Sequence, residues 1–292
     1  MSDSSLLALN LILALMMFGI ALSLKVEDFK RVFNQPKAPL TAIVAQFLLL
    51  PAISWLLTML LPLPAEVALG VILVGSCPGG SFSNIMTFLS KGNTALSVSI
   101  TALSSLAAAV ATPFNFVLYS SLNPDTASLL RSIHIPVENV LVLVLLVLAL
   151  PLLLGLITAY YAPRFAERSQ QAFKIISLLT LFGFVGAALS QNWQKFSAGA
   201  NIFMAIVVLH NAIALGIGRI TSGLMKLNSA DTRAVTLELG IQNSGLGLGI
   251  IFTFFDQLGG MAIIAASWGI WHLISGLSLT LYWSRRDIKQ GA

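Results

Sequence analysis

An all-helical membrane protein of nine transmembrane helices, an inverted repeat with two crossing discontinuous helices, is the architecture this sequence predicts. Three observations lead there. The 292 residues are 57% hydrophobic and only 9% charged, against about 25% charged in soluble domains. Apolar runs of about 20 residues, the length that crosses a bilayer, recur along the whole chain. Two of those runs carry proline, glycine, serine and amide residues where lipid-facing leucines belong.

The spans are expected at 6–24, 38–61, 66–89, 94–120, 138–160, 172–190, 198–224, 232–255 and 260–283. The opening MSDSS lacks the basic region of a cleavable signal, so the first run is read as a span. Between spans 1 and 2, VEDFKRVFNQPKAP places Phe29, Val32 and Phe33 on one helical face with charges opposite, the pattern of a short helix on the membrane surface. NPDTASLLRSIHIPVEN, after span 4, is expected to do the same on the other side. Span 6 is short and begins beside Lys174, whose ammonium can snorkel to the interface.

Charge sets the orientation. Of sixteen basic residues only Arg131 and Lys195 fall on one side of a nine-span arrangement. The basic side is cytoplasmic by the positive-inside rule, which places the N-terminus outside and the C-terminus in the cytoplasm. The net charge of +5 is therefore a topology signal and points to a lipid bilayer, with no nucleic-acid partner. The single cysteine, Cys77, excludes an intramolecular disulfide and reads as a small buried residue.

The two interrupted spans carry the functional signal. CPGGSFSNIMTFLSKG (77–92) holds Pro78, Gly79 and Gly80 followed by Ser83 and Asn84. DTRAVTLELGIQNSGLGLGIIFTFF sets Gly240, Gly245, Gly247 and Gly249 around Gln242, Asn243 and Ser244. Irregular backbone at membrane depth survives only inside protein or beside an aqueous cavity. The breaks lie five spans apart, so the two helices cross in opposite directions and spans 1–4 correspond to spans 6–9. That is the pattern of secondary transporters, with the site near the midplane.

Of eleven acidic residues only Glu238 lies well inside an apolar segment, and no lysine or arginine lies at its depth. Inserting such a carboxylate costs on the order of 2.5–3.5 kcal/mol, so a cation, a proton or hydrogen-bond donors must answer it. If the helix persists, Gln242 shares its face at i, i+4. Ser97 and Thr101 of span 4 share a face in the same way. Neutral oxygens with one carboxylate suit a hard monovalent cation; a transition metal would call for histidine or thiolate. Gln46, a lone amide in span 2, reads by itself as a packing contact, and so does His210.

CPGGSFSNIMTFLSKGNTALSVSITALSSL with ELGIQNSGLGLGI closely resembles the bile acid:sodium symporter family, especially its bacterial members, over nearly the whole chain. The resemblance implies a single transporter domain of 1–292, with a core at about 38–122 and 197–284 and a panel at about 6–24 and 138–190. It implies one sodium site from Ser83, Asn84, Ser97, Thr101 and Glu238. A second would use Glu238, Gln242, backbone near Leu239 and Ile241, and Gln46, which overrides the packing reading of that residue. Many bacterial relatives have ten spans; this chain resembles the nine-span animal liver carriers.

The substrate is expected across the crossover, where half-helix N-termini favour an anion, near Ser81, Asn243 and Ser244. His272 matches a family position that faces the substrate cavity, and Asn115 is a further candidate. The expected function is sodium-coupled import of an organic anion, bile acid-like or a small carboxylate such as pantoate or a keto acid, across the inner (plasma) membrane. The rival is a proton-coupled carrier that titrates Glu238; a channel is the other class. No HExxH, GxSxG or paired intramembrane aspartates occur, so no enzyme and no cofactor beyond sodium as coupling ion is expected.

Overall fold

The computed structural model describes residues 3–132 and 137–285; these form helices joined by short connections, with no β-strand among them. Residues 133–136, inside the segment expected to lie on the outer surface, and Arg286 and Lys289 of the basic C-terminus fall outside the described residues. In chain order the helices are α1 (Asp3–Leu22), α2 (Val26–Asn34), α3 (Lys37–Val44), a π-helical turn (Ala45–Leu49) and α4 (Leu50–Leu60). Then come α5 (Ala65–Ser76), α6 (Phe82–Leu89), α7 (Thr94–Leu122), α8 (Pro124–Ser132) and α9 (Val137–Tyr161). The last are α10 (Pro163–Gln191), α11 (Trp193–Leu224), α12 (Ser229–Gly240), α13 (Ser244–Phe254) and α14 (Gly259–Ser284).

Among the described residues five stretches are long and apolar enough to cross a membrane: Lys37–Leu60, Thr94–Leu122, Pro163–Gln191, Trp193–Leu224 and Gly259–Ser284. Shorter apolar helices, among them Ala65–Ser76 and Ser244–Phe254, accompany them, and the chain is a multi-pass membrane protein. The expected span at 172–190 is a longer helix. It begins at Pro163, whose fixed φ and missing N–H suit a first helical position. Hydropathy marks the apolar part of a helix; the polar RFAERSQQ turns before it are helical as well.

Pro51 explains both the π turn and a neighbour. A proline has no N–H to give the carbonyl four residues earlier, here Phe47 in the widened turn. Asn115 of α7 supplies the missing donor, its Nδ2 standing 2.8 Å from Phe47 O. α1, α9 and α10 pack on one another, and α1 and α10 lie against α13. The interrupted pairs α5/α6 and α12/α13 sit among α7, α11 and α14. Trp268 and Phe255 are the largest side chains wholly withdrawn from the surface.

Candidate functional site

The two interruptions meet. Gly79 and Gln242 form an isolated antiparallel bridge. Gly80 N–H donates to Ile241 O at 2.6 Å, and Asn243 N–H donates to Pro78 O at 2.9 Å. Each irregular loop therefore supplies the hydrogen bonds that the other's broken helix has lost, which non-helical backbone buried in a membrane protein requires. The last carbonyls of the first half-helices are also answered from neighbouring long helices. Thr112 Oγ1 donates to Ser76 O at 2.8 Å, and Asn211 Nδ2 to Gly240 O at 2.8 Å.

Behind this crossing lies Glu238, fully buried in the last turn of α12. Its Oε2 accepts from Ser83 Oγ at 2.6 Å and Thr101 Oγ1 at 2.8 Å; its Oε1 accepts from Ser104 Oγ at 3.2 Å. Asn84 Oδ1 joins the group, accepting from Ser97 Oγ at 2.8 Å and Thr101 Oγ1 at 3.1 Å. The residues of the first predicted cluster thus stand within hydrogen-bond reach of one another. Ser104 was missed by the sequence reading, although it continues the 97, 101 stripe by another turn of α7. Gly79 passes so close that a Cβ there would collide with the Glu238 carboxylate.

Glu238 forms no ion pair among the described residues. Arg233, on the same helix, donates instead to Ser90 O and lies 5.8 Å from the Trp283 ring. A hydrogen bond to a charged group contributes about 1.5–3 kcal/mol, so three hydroxyls can hold a carboxylate in place, yet none of them cancels its charge. No group of three or more His, Cys, Asp or Glu exists among the described residues. The donor set is one carboxylate with hydroxyl and amide oxygens, which fits a hard monovalent cation.

The second predicted cluster takes a different form. Helix α12 ends at Gly240, so the i, i+4 relation of Glu238 to Gln242 does not hold: a helical spacing predicts a shared face only while the helix continues. Gln242 turns to Gln46 in the π turn. Gln46 Nε2 donates to Gln242 Oε1 at 3.0 Å and to Cys77 O at 2.7 Å; Gln242 Nε2 donates to Leu239 O at 2.7 Å. The Ile241 carbonyl holds Gly80. Gln46, Gln242, Leu239 and Ile241 are therefore adjacent, and no hydrogen bond joins them to Glu238.

The predicted substrate residues divide. Asn243 is the N-cap of α13, its Oδ1 accepting from Leu246 N–H at 3.0 Å. Ser244 opens that helix, buried, with an unpartnered hydroxyl. His272 is buried with neither ring nitrogen bonded. Ser81 is exposed at the start of α6. Asn115 is occupied at the Phe47 carbonyl. His210 makes a contact of 2.7 Å with Ser54 Oγ and packs on Trp268 with ring centroids 4.7 Å apart.

Known proteins resemble this sequence. "Uncharacterized sodium-dependent transporter YocS" of Bacillus subtilis is 33% identical over 284 residues, covering 97% of this chain and 85% of its own. "Probable sodium/metabolite cotransporter BASS2, chloroplastic" of rice is 29% identical, over 94% of this chain and 64% of its own. The human "P3 protein" is 30% identical over 80% of this chain, which spans 48% of that protein's length. The profile of the Sodium Bile acid symporter family matches residues 10–214, a stretch that contains the first interrupted helix and its partner α7. With that match and the YocS likeness spanning nearly its full length, the chain belongs to the sodium bile acid symporter family, a family of transporters and not of enzymes.

Proposed function

We propose that this protein is a sodium-coupled symporter that carries an organic anion into the cytoplasm by alternating access. The observation that carries the reading is the buried Glu238 carboxylate, ringed by the oxygens of Ser83, Thr101 and Ser104 with Asn84 beside them, and joined by no cationic side chain. Sodium would bind there, with Ser97 completing the first site. A second sodium would lie at Gln46 and Gln242 with the Leu239 and Ile241 carbonyls and the far side of Glu238. Sodium-dependent transport in the names of the Bacillus and rice relatives agrees with this.

In this reading α1, α9 and α10 are the panel, the interrupted pairs with α3–α4, α7, α11 and α14 are the core, and nine crossings put the C-terminus in the cytoplasm of a plasma-membrane protein. Two sodium ions neutralise Glu238 and hold the crossing loops together, which shapes the anion site at the start of α13, near Asn243, Ser244 and His272. The substrate is a carboxylate, bile acid-like or small, such as pantoate or a keto acid. Two cations with one monoanion move one net charge inward, and about 2.3 kcal/mol per charge is available at 100 mV.

The test is uptake into proteoliposomes with sodium replaced by choline. Carboxylate uptake should vanish in choline and return with a sodium gradient. Uptake that is unchanged in choline and follows a pH gradient would replace sodium with a proton on Glu238.

A further inference from the structure

The first turn of α13 is where buried polar atoms of the core meet apolar side chains of α1 and α10. Ser244 and His272 are both buried and unpartnered there. Gly269, His272 and Gly276 lie on one face of α14 at i, i+3 and i+7. A Cβ on Gly269 would stand 3.3 Å from Ser244 Cβ, and one on Gly276 would stand 2.6 Å from Ile241 Cδ1. That face, which carries His272, packs on Ser244 and Ile241 at the second break and, at Gly276, on Met86 of α6 as well.

Three side chains close over the same turn from the other side. A Cβ on Gly245 would stand 2.8 Å from Met16 Cε and 3.9 Å from Leu181 Cβ. One on Gly269 would stand 3.5 Å from Val185 Cγ2. Leu13 meets Gly249, a turn further along α13. Met16 is only 3% exposed, and its terminal methyl is the first atom a Cβ on Gly245 would meet. Methionine is unbranched and has three rotatable bonds, so it can yield to a guest more readily than leucine or valine.

We propose that Met16 is a specificity-determining residue: its methyl lies over the first turn of α13, so the hydrocarbon adjoining a bound carboxylate must pack against it, and it sets the size of body the transporter accepts. The inference rests on the organic-anion reading above. An anion held by Ser244, His272 and the positive end of α13 has its apolar part within reach of Met16 first and of Leu13 next.

The experiment is sodium-driven uptake, in proteoliposomes, of straight-chain monocarboxylates of increasing length and one steroid carboxylate. Wild type is compared with Met16→Ala, Met16→Val and Met16→Phe. Met16→Ala should raise the ratio of kcat/KM for bulky over short acids about tenfold or more, and Met16→Phe should lower it by a similar factor, since one methylene in an apolar pocket is worth about 10–200-fold. Met16→Val, the mildest change, should move the ratio in the direction of alanine and keeps the test readable if another variant does not insert. The sodium concentration for half-maximal uptake should stay at the wild-type value. A ratio that stays within twofold in the variants that insert, or a proportional loss for every acid, overturns the assignment and leaves Met16 a packing residue. Wild-type protein that takes up no monocarboxylate in sodium refutes the parent reading, and this is seen before any variant is measured.

Discussion

Glu238 and Ser83, 155 residues apart in the chain, meet at 2.6 Å beside the point where the two interrupted helices cross. One belongs to the last turn of α12 and the other to the first turn of α6. A cation placed between them would tie the halves of both helices together.

Glu238→Gln keeps the shape and the hydroxyl contacts while it removes the charge. Sodium-driven uptake should fall at least about a hundredfold, in line with the several kcal/mol that a paired buried charge contributes. The sodium-induced rise in thermal stability should disappear as well; for the wild type, sodium at a hundred times its Kd would add about 2.7 kcal/mol. In sodium-free buffer the variant should be no less stable than wild type, because a buried uncompensated charge has gone. Thermal melts with and without sodium check both statements.

Ser104 gives a graded version. Its bond to Glu238 Oε1 is the longest of the three, 3.2 Å. Ser104→Ala should raise the sodium requirement about three- to tenfold, the equivalent of about 1 kcal/mol for one hydrogen bond. Ser99→Ala, on a helix face that holds Arg31 instead, should leave it unchanged.

At Gly79 the prediction is steric. Since an added Cβ would collide with the Glu238 carboxylate, Gly79→Ala should push the loops apart and abolish the sodium response. The magnitude should resemble overpacking of a core, about 1–3 kcal/mol in stability. A variant that melts and transports like wild type would contradict the crossing described above.

The amide pair tests stoichiometry. Gln46→Leu removes the donor to both Gln242 and the Cys77 carbonyl. Sodium activation should then lose its cooperativity, the Hill coefficient falling toward 1, with uptake retained at higher sodium. A cooperative curve identical to wild type would confine Gln46 to packing.

Glu238, Ser83 and Asn84 could be found in the chain because each is unusual for its setting, a polar group inside an apolar run, whereas Ser97 and Thr101 were found by their i, i+4 spacing and the family resemblance. Ser104 escaped because serines are frequent along α7, and only its Glu238 neighbour sets it apart. Asn211 of α11 escaped too, since only the packed structure shows that it donates to Gly240 O and accepts from Ser275. Asn115 illustrates the converse. Besides being a cavity candidate, it answers with its Nδ2 the carbonyl at Phe47 that Pro51 leaves without a donor, a role the sequence did not suggest.

What the sequence determined by itself is local in origin. Hydropathy and length make the helices, and Pro78, Gly79, Gly80 and Gly240 with the amides after it mark where two of them stop, since backbone preference acts within a few residues. Tertiary structure alone decided which oxygen faces which. Gln242 could join Gln46 rather than Glu238, and Ser83 could join Glu238, only after α6, α7 and α12 had packed, because hydrogen bonds spanning 134–196 residues of chain are chosen by helix positions in space and by no local preference.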